Sequence, residues 1–115
     1  LSAFFAEMTE WEQYMEQARF EDAEAVPRLL AIWEKYVSEK PRLGYRPLGL
    51  SYSAQGTYKG EQFLDVEQIT RNKLYIYTRE ENTGFDRRFL MKRTGDGWKI
   101  DAVQMRLDGW QRVGL

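Results

Sequence analysis

The chain has 115 residues, of which 43% are hydrophobic and 15% aromatic, and its formal net charge is -1. It contains no Cys and no His, which excludes a disulfide framework, thiolate chemistry, and the commonest general base and zinc ligand together. A pI of about 5.6 speaks against a dedicated nucleic-acid binder, which would be more basic overall.

The first helix is predicted from Ser2 to Phe20. Phe4, Phe5, Met8, Trp11, Met15 and Ala18 recur at spacings of three and four, one stripe of an amphipathic helix. Glu7, Glu10, Glu12, Gln13 and Glu16 are expected outside that stripe. A second helix is predicted from about Glu24 to Lys40, with Val26, Leu29, Leu30, Trp33, Tyr36 and Val37 as its stripe. Pro27 suits its first turn, where a missing amide proton costs little, and Pro41 marks its stop. The short Arg19–Ala23 segment joins the two as a helical hairpin.

After Pro41 the period changes. Leu43–Pro47 is rich in Gly and Pro and reads as a crossing loop. Strand-type runs follow at Leu48–Ser53, Phe63–Thr70, Lys73–Arg79, Arg87–Arg93 and Trp98–Met105, with a weaker one at Gly109–Val113. In Lys73–Arg79, alternation puts Leu74, Ile76 and Thr78 on one face and Tyr75, Tyr77 and Arg79 on the other. In the Trp98 run, Trp98, Ile100 and Ala102 are expected to oppose Lys99, Asp101 and Val103. Thr94-Gly95-Asp96-Gly97 is a tight-turn sequence, and Asn82-Thr83-Gly84 does similar work one connection earlier. Two helices followed by an antiparallel meander make an α+β domain with its helices on one sheet face. No linker, repeat or low-complexity segment interrupts residues 1–115, so one domain is expected.

Motifs for chemistry are easier to exclude than to find. There is no phosphate-cradling Gly-Lys-Ser/Thr loop, no nucleophile with a His beside it, and no calcium loop growing from Asp65-Val66-Glu67. The remaining enzymatic option is acid–base work by Asp65, Glu67 or Asp101 in an apolar pocket, where burial raises a carboxyl pKa. Against it, alternation turns these acids outward toward Lys99, Lys73 or Arg88. The run Phe85–Arg93 is the one basic–aromatic cluster. It has the residue types that stack and neutralise single-stranded nucleic acid, but it reads better as a strand whose Arg and Lys discourage edge aggregation. Charge is also divided along the chain. Residues 1–40 hold nine acids and four bases, whereas residues 41–115 hold nine acids and thirteen bases.

The order of elements resembles the nuclear-transport-factor-two-like fold, and more narrowly the immunity proteins of that fold from bacterial polymorphic toxin systems. The resemblance is carried by Leu1-Ser2-Ala3-Phe4-Phe5-Ala6-Glu7-Met8 with Trp11-Glu12, by Trp33-Glu34-Lys35-Tyr36-Val37, and by Val66-Glu67. It continues in Lys73-Leu74-Tyr75-Ile76-Tyr77-Thr78, Thr83-Gly84-Phe85, Arg88-Phe89-Leu90 and Gly97-Trp98-Lys99-Ile100-Asp101. It implies N-terminal helices lying in a curved, cone-like antiparallel sheet, and a non-enzymatic immunity protein that binds and blocks a cognate toxin domain in the cytoplasm. No cofactor, metal, nucleic acid or membrane is implied, and a homodimer formed by sheet packing is compatible with it. The face bearing Tyr75, Tyr77 and Arg79, with neighbouring Arg88, is the expected partner-binding surface; the same alternation also fits a cone interior filled by Tyr. The wider fold includes isomerases and dehydratases that use an Asp or His in the cone, which keeps a small-molecule pocket as the alternative.

Overall fold

In the computed structural model, residues 1–18, 25–38, 57–81 and 83–115 are described. The expected strand at Leu48–Ser53, the crossing loop at Leu43–Pro47 and the Arg19–Ala23 connection lie outside these residues. Two helices, α1 (Ser2–Ala18) and α2 (Ala25–Tyr36), precede β1 (Gln62–Thr70), β2 (Lys73–Arg79), β3 (Asp86–Thr94), β4 (Gly97–Arg106) and β5 (Trp110–Val113). The strands form an antiparallel sheet in chain order, β1-β2-β3-β4-β5. This is the α+β arrangement of two helices followed by an antiparallel meander anticipated from the sequence.

The helices cover one face of the sheet. From α1, Phe4, Phe5, Met8, Trp11 and Met15 are buried, as their spacing predicts. From β3 and β4 they meet Phe89, Met91, Ile100 and Val103, and all of these side chains belong to one apolar cluster. Its centre is aromatic: the Phe5 ring stacks on Tyr58 at 5.0 Å and meets Phe89 edge-on at 5.4 Å. Such pairs add about 0.5–1.5 kcal/mol each beyond area burial. The Tyr58 hydroxyl donates to the Leu115 carbonyl at 2.8 Å, which ties the C-terminal end of the chain into the same cluster.

Three placements differ from the sequence reading. Glu12 is buried, 1% exposed, because it accepts hydrogen bonds from the Thr57 amide at 2.9 Å and the Thr57 hydroxyl at 2.8 Å; these replace the water a buried carboxylate would otherwise need. The α2 stripe is turned, so Ile32 is buried with Ala25, Leu29 and Trp33, while Leu30 faces out. In β4 the register shifts between the pairs Leu90↔Ala102 and Met91↔Ile100, and Asp101 is the extra residue. This bulge reverses the alternation beyond it, so Val103 rather than Ala102 follows Ile100 into the core; Trp98, before the bulge and near the start of the strand, is 40% exposed.

The β3–β4 turn uses Gly97 at φ 103°, a conformation that other residues adopt only with strain. Beside it, β4 extends past the short β5, and Val37 pairs with Ile100 in that gap as an isolated parallel bridge. Lys99 donates through Nζ to the carbonyls of Glu34 at 2.8 Å and Lys35 at 2.6 Å, a cation at the negative end of α2.

The helices are also clasped to each other across their outer surface. Glu7 accepts from Lys35 Nζ at 2.6 Å and from the Tyr36 hydroxyl. Those donors hold its carboxyl below the ordinary value of 4.5, the Lys35 hydrogen bond being the larger cause. A lowered carboxyl pKa stabilises the fold above the unfolded value and ceases to do so as pH falls through the folded one. Glu7→Gln is therefore expected to lower the urea midpoint at neutral pH, and the gap from the parent protein should narrow as pH falls through the lowered folded value of the carboxyl. A gap that persists unchanged in acid would show that the carboxylate charge is not what the clasp uses.

Candidate functional site

Alternation sends the adjacent arginines of β3 to opposite faces of the sheet, and each organises a different cluster. Arg87 is buried on the face of the sheet that carries Phe89 and Met91. Its Nη1 pairs with Glu61 at 3.0 Å, its Nη2 with Glu80 at 3.1 Å, and its guanidinium lies 5.0 Å from the Tyr58 ring centroid. Arg87 also donates to the Thr57 carbonyl at 3.3 Å, while Thr78 Oγ1 donates to Glu61 at 2.9 Å. Burial pushes the Glu61 carboxyl above its ordinary value, outweighing the opposing pull of Arg87. Every member of this group is engaged with another, which marks it as a structural network.

Arg88 points away from the helices. Its guanidinium sits 4.3 Å from the Tyr75 ring centroid and 4.6 Å from that of Trp110, and its Nε donates to Gln104 Oε1. Tyr75 and Tyr77 are tilted against each other at 6.1 Å, and Tyr77 meets Trp110 edge-on at 5.8 Å. The Tyr77 hydroxyl donates to Glu67 at 3.0 Å. The sheet register explains the grouping, because Tyr77 opposes Arg88 and Arg88 opposes Gln104. All four residues predicted to bind a partner, Tyr75, Tyr77, Arg79 and Arg88, thus share the face opposite the helices. Arg79 stands at its margin, paired with Asp86 at 2.9 Å. Among the described residues no helix crosses this face, and Tyr75 and Tyr77 are half-buried in it.

Trp110 and Gln104 were missed by sequence reasoning. Gln104 lies in the predicted Trp98–Met105 strand and Trp110 in the weaker Gly109–Val113 run, and nothing in the sequence shows that β5 returns beside β4 to carry Trp110 to Arg88.

The three carboxylates considered for acid–base work are scattered. Asp65 is exposed and accepts the neighbouring Val66 amide at 2.8 Å, while Glu67 is exposed and holds Tyr77. Asp101 departs from the expected outward position: the bulge buries it, and it accepts the Ser38 hydroxyl at 2.6 Å. It borders an open cavity of about 440 Å³ with Ser38, Lys92 and Lys99. Among the described residues these acids are not paired with Lys99, Lys73 or Arg88; Lys99 caps α2 and Arg88 stacks between rings. A second groove of about 270 Å³ runs between α1 and α2 past Tyr14 and Arg28. Among the described residues no group of three acids is placed to hold a metal ion, and no helix is long and apolar enough to cross a membrane.

A family model described as NTF2 fold immunity protein matches residues 1–114. No curated protein and no solved structure matches the chain.

The two arginine environments differ in what their loss should cost. Arg87→Met leaves the buried Glu61 without its counter-charge and is expected to destabilise the protein by about 3–5 kcal/mol in urea unfolding. That loss should shrink on acidification, because a protonated Glu61 has less need of the cation. Arg79→Ala, which breaks an exposed pair, is expected to cost less than about 1 kcal/mol in the same measurement. Equal costs would contradict the assignment of one network as structural and the other face as free for binding.

Proposed function

This chain belongs to the NTF2 fold immunity protein family, and we propose that it acts in the bacterial cytoplasm by binding a cognate polymorphic-toxin domain and blocking it. The single structural observation that supports this reading is the half-buried aromatic and cationic cluster of Tyr75, Tyr77, Arg88 and Trp110 on the sheet face opposite the helices. Neutralising a toxin calls for tight binding, and nanomolar affinity corresponds to about −12 kcal/mol. Free energy of that size is concentrated in a few Trp, Tyr and Arg anchors, the residue types that this sheet face presents together. Two of the three aromatic rings are tyrosines with only two side-chain torsions, so little conformational freedom is lost when a partner covers them.

The alternative, a small-molecule site with an acid–base carboxylate, has one observation in its favour: buried Asp101 beside the cavity of Ser38, Lys92 and Lys99. Asp65 and Glu67 lend it nothing, since both are exposed.

Co-expression with the toxin domain encoded immediately upstream tests both readings. The expected result is rescued growth and a stable co-purified complex. The Tyr75→Ala/Tyr77→Ala double variant should stay folded yet bind at least about 30-fold more weakly, while Asp101→Asn should rescue as well as the parent. Absence of both rescue and complex from a folded protein would sink the immunity reading, and loss of rescue in a folded Asp101→Asn variant would shift the site to the cavity.

A further inference from the structure

The geometry around Arg88 goes one step further and names the chemistry of the partner; it rests on the immunity reading. Tyr75 and Trp110 flank the guanidinium at 4.3 and 4.6 Å, and Gln104 takes its Nε. These three contacts fix the orientation of the planar group. They leave Nη1 and Nη2 with no hydrogen-bond partner among the described residues. A guanidinium with rings against it and its terminal donors available is a preformed fork for a carboxylate, which it can grip with two parallel bonds. The flanking rings also exclude water, so part of the cost of ordering and desolvating the cation is met before any partner arrives.

The surroundings carry the same sign. By register, Lys73, Arg79, Lys92, Arg106 and Arg112 lie on the face of Arg88. Of the three acids on that face, Asp86 is paired with Arg79, Glu67 accepts from the Tyr77 hydroxyl and Asp65 accepts from the Val66 amide, so the cations outnumber them. We infer that this face recognises an acidic surface of the toxin domain, one of whose Asp or Glu side chains enters the fork of Arg88 between Tyr75 and Trp110. A protein surface fits better than a nucleic-acid backbone, because Asp65 and Glu67 line the β1 side of the face and would repel a continuous run of phosphates. A folded partner can meet those two acids with its own cations.

The test is calorimetric titration of the upstream-encoded toxin domain into the parent protein and into Arg88→Ala, Arg88→Lys and Arg88→Glu variants, each first shown by circular dichroism and thermal melting to be folded. The parent is expected to bind and to weaken at least about tenfold when salt is raised from about 50 to 500 mM. Arg88→Ala should weaken binding at least about 30-fold and Arg88→Glu more, while Arg88→Lys, which keeps the charge but not the fork, should recover only part. If the parent binds and all three variants remain within about threefold of it, the inference fails while the immunity reading stands. If the parent does not bind the toxin domain, both fail. An oligothymidylate that binds the parent in an Arg88-dependent manner and displaces the toxin would overturn the choice of a protein carboxylate in favour of a phosphate backbone.

Discussion

The guanidinium of Arg87 is the contact on which the arrangement of the sheet depends. A buried cation must find opposite charge and hydrogen-bond acceptors within its own reach, or the fold loses several kcal/mol. Arg87 finds them in Glu61 just before β1, Glu80 just after β2, the Thr57 carbonyl and the Tyr58 ring. One side chain therefore fixes where the chain enters β1 and where β2 ends, and it seats the Tyr58 ring against Phe5 and Phe89. Because successive strand residues alternate, committing Arg87 to the interior commits Arg88 to the opposite face. The outward aromatic cluster is in this sense set by the inward ion pair.

Most of the fold was legible because its elements obey simple periods. The α1 stripe, the alternation of Lys73–Arg79 and the Gly-rich turn before Trp98 each determined a local structure that the sheet preserved. The errors came where a single polar contact or an extra residue overrode the period. The spacing puts Glu12 outside the apolar stripe, and nothing local reveals that Thr57 supplies two donors to it from far along the chain. Asp101 was placed outward because a bulge leaves no mark in the sequence, yet it shifts every later side chain of β4 by one face. Of the candidate site, Tyr75, Tyr77 and Arg79 followed from one strand's pattern, and Arg88 from its neighbourhood. Trp110 could not be placed, since its role depends on the register of β5 against β4 and on the reach of Arg88 across Gln104. Local pattern thus identified a face, and long-range pairing decided what that face assembles.

The two faces also divide the polar chemistry of the chain. On the helix side, the buried charges are satisfied within the molecule, as Glu12, Glu61 and Arg87 show. On the opposite side, the stacking arrangement orients charge without neutralising it, and this difference separates a group that holds a fold together from one available to a partner. The proposed partner chemistry rests on family membership together with the outward guanidinium between its two rings.

The seating of Val37 and Ser38 on the edge of β4 has a consequence for the order in which the protein assembles. The β3–β4 hairpin closes over a short turn and needs only local chain search. The Ser38–Asp101 hydrogen bond spans 63 residues and the Tyr58–Leu115 bond 57. Closing such long loops costs more chain entropy than closing a hairpin, and contacts of that sequence separation slow folding. The ledge that Val37 occupies exists only once β4 has formed, and the carbonyls capped by Lys99 are brought to it by the same docking. The helices, although translated first, are thereby expected to lock last, with the nascent meander serving as the template on which the N-terminal third of the chain is finally fastened.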